Sequence, residues 1–199
     1  MLWQHPASLP VGALCTIRVV VSRFPAVNFV GISRCQVYRE LWEQQKLTMP
    51  EVTNLFLCLV HRFPMKEIEE AEALQNRGLK GCIHGRPDSN RQISLMDVET
   101  LEKLVIPPGA VKENIATRGL DFQRLSVGQR LRIGGSLLEI TLPCDPCSRM
   151  DEIRQGLQDE LRGQRGWLCR VVEGGKIRRG DRIEVLAVAP EAARQEISR

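Results

Sequence analysis

From Val52 onward the chain alternates short apolar runs with turn residues, and the period of each run predicts its element. The stretch Asn54 to Val60 is apolar enough for a buried strand, which Arg62 to Pro64 ends. Glu67 to Asn76 reads as a short helix stopped by Gly78, followed by a loop punctuated by Gly78, Gly81 and Gly85 that carries His84 and Arg86. RQISLMDVETLEKL predicts a strand over Gln92 to Met96 and a helix from Asp97 to Leu104, with Val98, Leu101 and Leu104 at helical spacing before the Pro107–Pro108–Gly109 break. SVGQRLRIGGSLLEITL predicts two strands around Gly134–Gly135. Leu131 and Ile133 alternate there with arginines, and Leu138 and Ile140 with Glu139 and Thr141, which implies one buried and one wet face. RGDRIEV repeats the theme with Ile183 and Val185 facing inward. Met150, Ile153, Leu157 and Leu161 then predict an amphipathic helix over Asp151 to Arg162. Many short strands with few helices make the fold mainly β, a barrel or closed sandwich with peripheral helices.

Composition divides the chain. Residues 1–48 hold five Lys/Arg and two Asp/Glu, and Met1 to Arg39 contains no acidic residue. Met49 leads straight into PEVTNLFLCLV, so residues 1–48 are read as an N-terminal extension outside the natural protein, with Met49 its start. The domain then runs over 49–188, and residues 189–199, which lose apolar periodicity, form a tail. Beyond residue 48 the charges nearly cancel, 23 basic against 22 acidic, and no basic run is interleaved with aromatics, so no nucleic-acid partner is expected. Arginines interrupt the best apolar stretches before membrane length, so no membrane partner is expected either. Seven cysteines without framework spacing predict a reduced, cytoplasmic protein.

The chemistry concentrates at TLPCDPCSRMDEI, Thr141 to Ile153. Ser148 and Asp151 have capping-box spacing, which places Cys147 just before a helix N-terminus where unsatisfied N–H groups favour a thiolate. Arg149 acts in the same direction, whereas Cys144 belongs to the end of a strand. Three readings of the pair stand: one working thiol at Cys147, a zinc site completed by His84, Cys82 or Cys169, or a thiol-redox couple of Cys144 with Cys147. A zinc site calls for about four ligands and only one CxxC is present. The redox couple belongs to a βαβ setting that this pattern lacks.

Taken in order, GLKGCIHGR (Gly78 to Arg86), RQISL, PPGAVKENIATRGLD (Pro107 to Asp121), LSVGQRLRIGGSLLEIT and PCDPCSRM resemble the MOSC domain over roughly Val52 to Leu186. That domain is named for the C-terminal part of molybdenum-cofactor sulfurases and also occurs as small stand-alone proteins. The resemblance implies a β-barrel with peripheral helices and a functional cysteine, matched here by Cys147. In the family this cysteine is proposed to hold sulfur delivered by a pyridoxal-phosphate-dependent cysteine desulfurase. In relatives that include the mitochondrial amidoxime-reducing component it ligates molybdenum and supports reduction of N-hydroxylated compounds. The resemblance therefore implies molybdenum cofactor (molybdopterin) at Cys147, with His84, Arg91, Glu113, Asn114 and Arg118 as pocket residues, and a small-molecule substrate. Pyridoxal phosphate would enter only through the partner desulfurase. Guanidinium groups suit a pterin phosphate, and Asn-type groups suit its amide-rich ring. One departure is Cys82, where most relatives carry an acidic residue. These 199 residues contain neither a desulfurase domain nor a ferredoxin cluster motif, so sulfur or electrons are expected from a partner, a cysteine desulfurase or an electron-donating reductase.

If the helix terminus activates Cys147, it should alkylate faster than Cys144 at neutral pH, by a few-fold, and its rate should plateau at a lower pH. Iodoacetamide kinetics read by mass spectrometry check both points.

Overall fold

The computed structural model describes residues 49–186, so the expectations for residues 1–48 and for the tail 189–199 lie outside the described residues. Along the chain run β1 (Glu51–Leu57), β2 (Lys66–Ile68), β3 (Glu70–Leu74), β4 (Gly78–Leu79), β5 (Ile93–Asp97), α1 (Val98–Lys103) and β6 (Ile115–Arg118). After these come β7 (Arg130–Ile133), β8 (Ser136–Pro143), α2 (Arg149–Ile153), α3 (Leu157–Glu160), β9 (Trp167–Glu173), β10 (Gly175–Arg178) and β11 (Ile183–Leu186). The fold is mainly β. No helix among the described residues is long and apolar enough to cross a membrane.

Eight strands form one sheet in the order β11-β7-β8-β9-β5-β6-β1-β2, and β10-β3-β4 form a second. Every pairing is antiparallel except β5 with β6. A parallel pair needs a crossover, and α1 with the Pro107–Gly109 turn supplies it. Asp97 caps α1 by accepting the Thr100 N–H at 2.9 Å, while Val98 and Leu101 turn inward. The large sheet curls until β1 meets the residues before β11. Val52 N–H donates to the Asp181 carbonyl (2.9 Å), Gly180 N–H to the Val52 carbonyl (2.8 Å) and Ile183 N–H to the Pro50 carbonyl (2.7 Å). The curl thus ends in a short seam, with Glu51 opposite Arg182. Inside it sits the main core, including Leu55, Ile93, Leu95, Ile115, Leu131, Ile133, Leu138 and Ile140. A second apolar cluster packs Met150, Leu157 and Leu161 against Met96, Leu101, Ile106 and Val111, and this docks α2 and α3.

Three expectations are corrected. Glu67 to Asn76 is not a helix but strands β2 and β3. EAEAL alternates with period two, burying Ala71 and Ala73 opposite β10 and leaving Glu70 to pair with Lys176 (2.8 Å) and Arg178 (2.7 Å). Cross-strand partners over a hundred residues away outweigh the helical propensity of Glu, Ala and Leu. On β8, Glu139 lies on a buried face instead of a wet one, 5% exposed, because Arg130 on β7 (3.2 Å) and Arg170 on β9 (2.8 Å) reach across it from both sides. On β11, Ile183 is buried as expected but Val185 is exposed; past the seam at Arg182 and Ile183 only β7 lies beside the strand.

Gly166 is where the chain from α3 passes under β5. Its φ is +85°, and an added Cβ would run into the Leu95 carbonyl oxygen. Gly163 also has positive φ (+71°), but its Cβ would meet open space. Gly163→Ala should therefore cost about 1 kcal/mol, the left-handed backbone penalty alone, and Gly166→Ala on the order of 3 kcal/mol or more. Urea unfolding of the two variants with unchanged m values checks the difference.

Candidate functional site

The loop between β8 and α2 holds its two cysteines in opposite environments. Cys144 is pinned where its N–H donates to the Gly166 carbonyl (2.9 Å). Its thiol is buried against the Arg165 guanidinium, whose other end donates to the Val111 carbonyl at 2.6 Å. Burial pushes the Cys144 thiol up, and the Arg165 charge offsets only part of that. Cys147, three residues on, is exposed, and among the described residues no hydrogen bond forms to its thiol. Its carbonyl accepts the Met150 N–H at 2.9 Å, which starts α2.

The capped helix expected over Asp151 to Arg162 is corrected here. Ser148 has helical backbone angles (φ −53°, ψ −21°) and makes no side-chain cap, and α2 is only five residues long. Arg154 is extended and Gly156 left-handed (φ +83°), so the chain turns and restarts as α3. Asp151 accepts the Gln158 N–H (2.9 Å) and braces α3 instead of boxing with Ser148. Met150, Leu157 and Leu161 are still buried, but Ile153 is left exposed. One turn of helix aligns too few peptide dipoles to act as a strong charge, so what distinguishes Cys147 in the structure is its accessibility.

The other expected residues fall into different settings. Asn114 is buried and fully employed. Its Nδ2 donates to the Phe56 carbonyl (3.1 Å) and to Cys82 Sγ (3.5 Å), and its Oδ1 accepts the Ser94 N–H (3.2 Å). His84 is exposed and lies close enough to the Cys82 thiol to favour its ionised form. Exposed Arg91 lies close enough to Cys144 to act on its thiol by charge. Arg118, at the end of β6, is exposed and engaged in an ion pair with Glu102 at the C-terminal end of α1. Glu113 is 2% exposed; one oxygen accepts the Gly109 N–H and the other, Oε2, has no partner. Burial raises its carboxyl to about 7, against the Gly109 hydrogen bond and the charges of Arg165 and Lys112. Contacts and charge thus connect segment 82–84, residues 112–114 and Arg149 through Cys58, since both Lys112 and Arg149 act on the Cys58 thiol.

Two clefts flank this region. One of about 470 Å³ is lined by Arg62, Lys112 and Arg149 with Phe56, Pro107, Pro108 and Gly109, against a single carboxylate, Glu152. The other, about 550 Å³, is lined by Asp97, Glu99, Asp121 and Asp145 with Phe122, Trp167 and Cys144. Neither is lined by the six residues singled out from the sequence. Lys112, Arg62 and Arg165 were not among them, because isolated basic residues in turns carry no motif. No group of three His, Cys, Asp or Glu side chains is gathered for a metal ion among the described residues.

A family model described as the MOSC domain matches residues 83–184. The chain belongs to the MOSC family. Protein YiiM of Escherichia coli (strain K12) is 29% identical over 104 residues, covering 49% of this chain and 45% of that protein, so the match spans less than half the relative's length. Among solved structures, the YuaD protein from Bacillus subtilis is similar over 69% of this chain and 96% of its own (TM-score 0.59, 24% identity). YiiM from Escherichia coli is similar over 71% of this chain and 72% of its own (TM-score 0.54, 19% identity). At these identities the structural likeness supports a shared MOSC fold.

Glu113 gives this MOSC domain a pH dependence. Its carboxyl stands above the ordinary value near 4.5, so the folded state holds the proton more tightly than the unfolded chain. The resulting stabilisation is complete below about pH 4.5 and is lost as pH rises through 7. Glu113→Gln removes the titration. Between pH 5 and pH 8 the stability of the wild type should therefore fall, relative to this variant, by on the order of 2 kcal/mol in urea unfolding.

Proposed function

We propose that this MOSC protein works through the thiol of Cys147, which binds the molybdenum cofactor or carries sulfur as a persulfide. The observation that carries this reading is exposure: of the five described cysteines, Cys58, Cys82, Cys144 and Cys169 are buried and Cys147 alone is open. A group that must accept sulfur from another protein, or ligate a metal delivered from outside, has to be reachable.

The residues present fit a phosphate-bearing cofactor. Arg149, two residues along the chain from Cys147, lines a cleft together with Arg62 and Lys112, a cationic set suited to a pterin phosphate. Glu113 is buried outside that cleft and would contribute by holding the Gly109 backbone, which lines it. Asn114 likewise would contribute by holding Cys82 and β1 in place, since its amide is already occupied. When bound, the cofactor would supply two-electron chemistry at molybdenum, and the protein would then act as a reductase of N-hydroxylated small molecules with electrons from a partner reductase. In the carrier form, the Cys147 thiolate attacks the outer sulfur of a persulfide on a pyridoxal-phosphate-dependent cysteine desulfurase. The donor S–S bond breaks and the donor thiolate leaves. Free thiols of this kind suit the reducing cytoplasm.

The paired-cysteine alternative, a zinc clamp or a Cys144–Cys147 redox couple, needs both thiols to act together. Cys144 is buried on Arg165 whereas Cys147 faces solvent, which favours one working thiol. The test is protein purified from a host that makes the cofactor, assayed for molybdenum, pterin and labile sulfane sulfur. Cys147→Ser should lose molybdenum retention or sulfur loading, because a hydroxyl is neither a persulfide carrier nor a comparable soft ligand. Cys144→Ser should keep most of it; equal loss in two folded variants would overturn the reading in favour of the pair.

A further inference from the structure

We propose that Cys82 and Cys58 form a second thiol site, independent of Cys147, that reduces peroxides: Cys82 attacks, and Cys58 resolves the product into a Cys58–Cys82 disulfide. The two residues meet where the turn after β4 lies against the end of β1. Ile83 N–H donates to the Cys58 carbonyl at 2.9 Å, which brings the Cys58 backbone close enough to the Cys82 sulfur to favour its thiolate. That backbone bond sets Cys58 beside the residue that follows Cys82, and both cysteines lie in the same buried apolar cluster, the neighbourhood a disulfide needs. The Cys58 thiol at present donates to the Val60 carbonyl (3.4 Å), a bond it gives up when it turns toward Cys82.

Cys82 sits in a cradle of donors. The Asn114 amide reaches its sulfur at 3.5 Å, and His84 and the Cys58 backbone lie close enough to favour its thiolate. Burial works against ionisation, yet these donors bring the thiol down to about 7, so near neutral pH roughly half of it is thiolate. Burial and the neighbouring Cys82 charge push Cys58 the other way and keep it protonated. That asymmetry matches one attacking and one resolving thiol. Access is short: Cys82 is 8% exposed, and its neighbours Gly81, Ile83 and His84 are exposed, so a molecule as small as hydrogen peroxide has little to cross.

The electrons balance. The Cys82 thiolate attacks one peroxide oxygen, the O–O bond breaks, hydroxide leaves and Cys82 becomes a sulfenic acid. The Cys58 sulfur then attacks the Cys82 sulfur, its proton leaves with the departing hydroxyl as water, and the S–S bond forms. Closing the bridge draws the Cys82 sulfur off Asn114 and His84.

The experiment treats the fully reduced, full-length chain with one equivalent of hydrogen peroxide and maps its peptides without reduction. A peptide linking Cys58 to Cys82 is expected. In Cys58→Ser the link should vanish and Cys82 should be trapped as sulfenic acid by a 1,3-dione probe. In Cys82→Ser, Cys58 should stay a free thiol. The proposal is overturned if wild-type protein gives no such peptide while Cys147 consumes the peroxide, or if Cys82 links to a cysteine other than Cys58. The wild-type map decides the matter even where a variant fails to fold.

Discussion

The region around the candidate site depends on one buried side chain. Asn114 stands between β5, β1 and the turn after β4, with its amide bonded to Phe56 and Cys82 and its carbonyl oxygen to Ser94. Its backbone joins the same elements, since Asn114 N–H donates to the Ser94 carbonyl (3.0 Å) and its own carbonyl accepts the Phe56 N–H (2.8 Å). A buried polar group is stable only when its bonding capacity is filled, so this set of partners fixes three segments at once. The parallel β5–β6 pair follows Asn114 directly, and the Cys82 sulfur rests on the same amide.

Around that anchor the chain sorts its thiols and charges by depth. Cys169 is fully buried, Cys144 leans on Arg165, Cys58 and Cys82 are buried as neighbours, and Cys147 is outside. Thiol chemistry follows from this order because the same side chain is inert in a core, polarised beside donors and accessible at the surface. Charge is separated just as sharply. Beyond residue 48 the sequence is almost neutral, yet Arg62, Lys112 and Arg149 line one cleft and four carboxylates line the other. A net charge near zero therefore conceals two surfaces with opposite ligand preferences.

Much of this was legible in the chain itself. The helix that follows β5, the Gly134–Gly135 hairpin and the alternation of Leu131, Ile133, Leu138 and Ile140 are local features, and each formed the expected element. So did the mainly-β class and the family, because ordered motifs survive even where overall identity is low. EAEAL failed as a helix because its pattern is ambiguous until β10 arrives to pair with it. The MDEIRQGLQDEL stripe failed as one helix because Gly156 takes a left-handed turn that periodicity does not register.

Sequence alone settled the mainly-β class, that Cys147 precedes a helical turn, and that the chain carries MOSC motifs. Only the tertiary structure decided which residues share an environment. Glu113 became a carboxyl poised near neutral pH because folding removed water from it without supplying a partner for its second oxygen. Cys82 gained its donors from Cys58, His84 and Asn114, contacts that span up to 32 positions of sequence. Local pattern is set by bonded neighbours and short-range sterics, whereas acidity, exposure and reactivity are set by whatever the fold brings within a few ångströms.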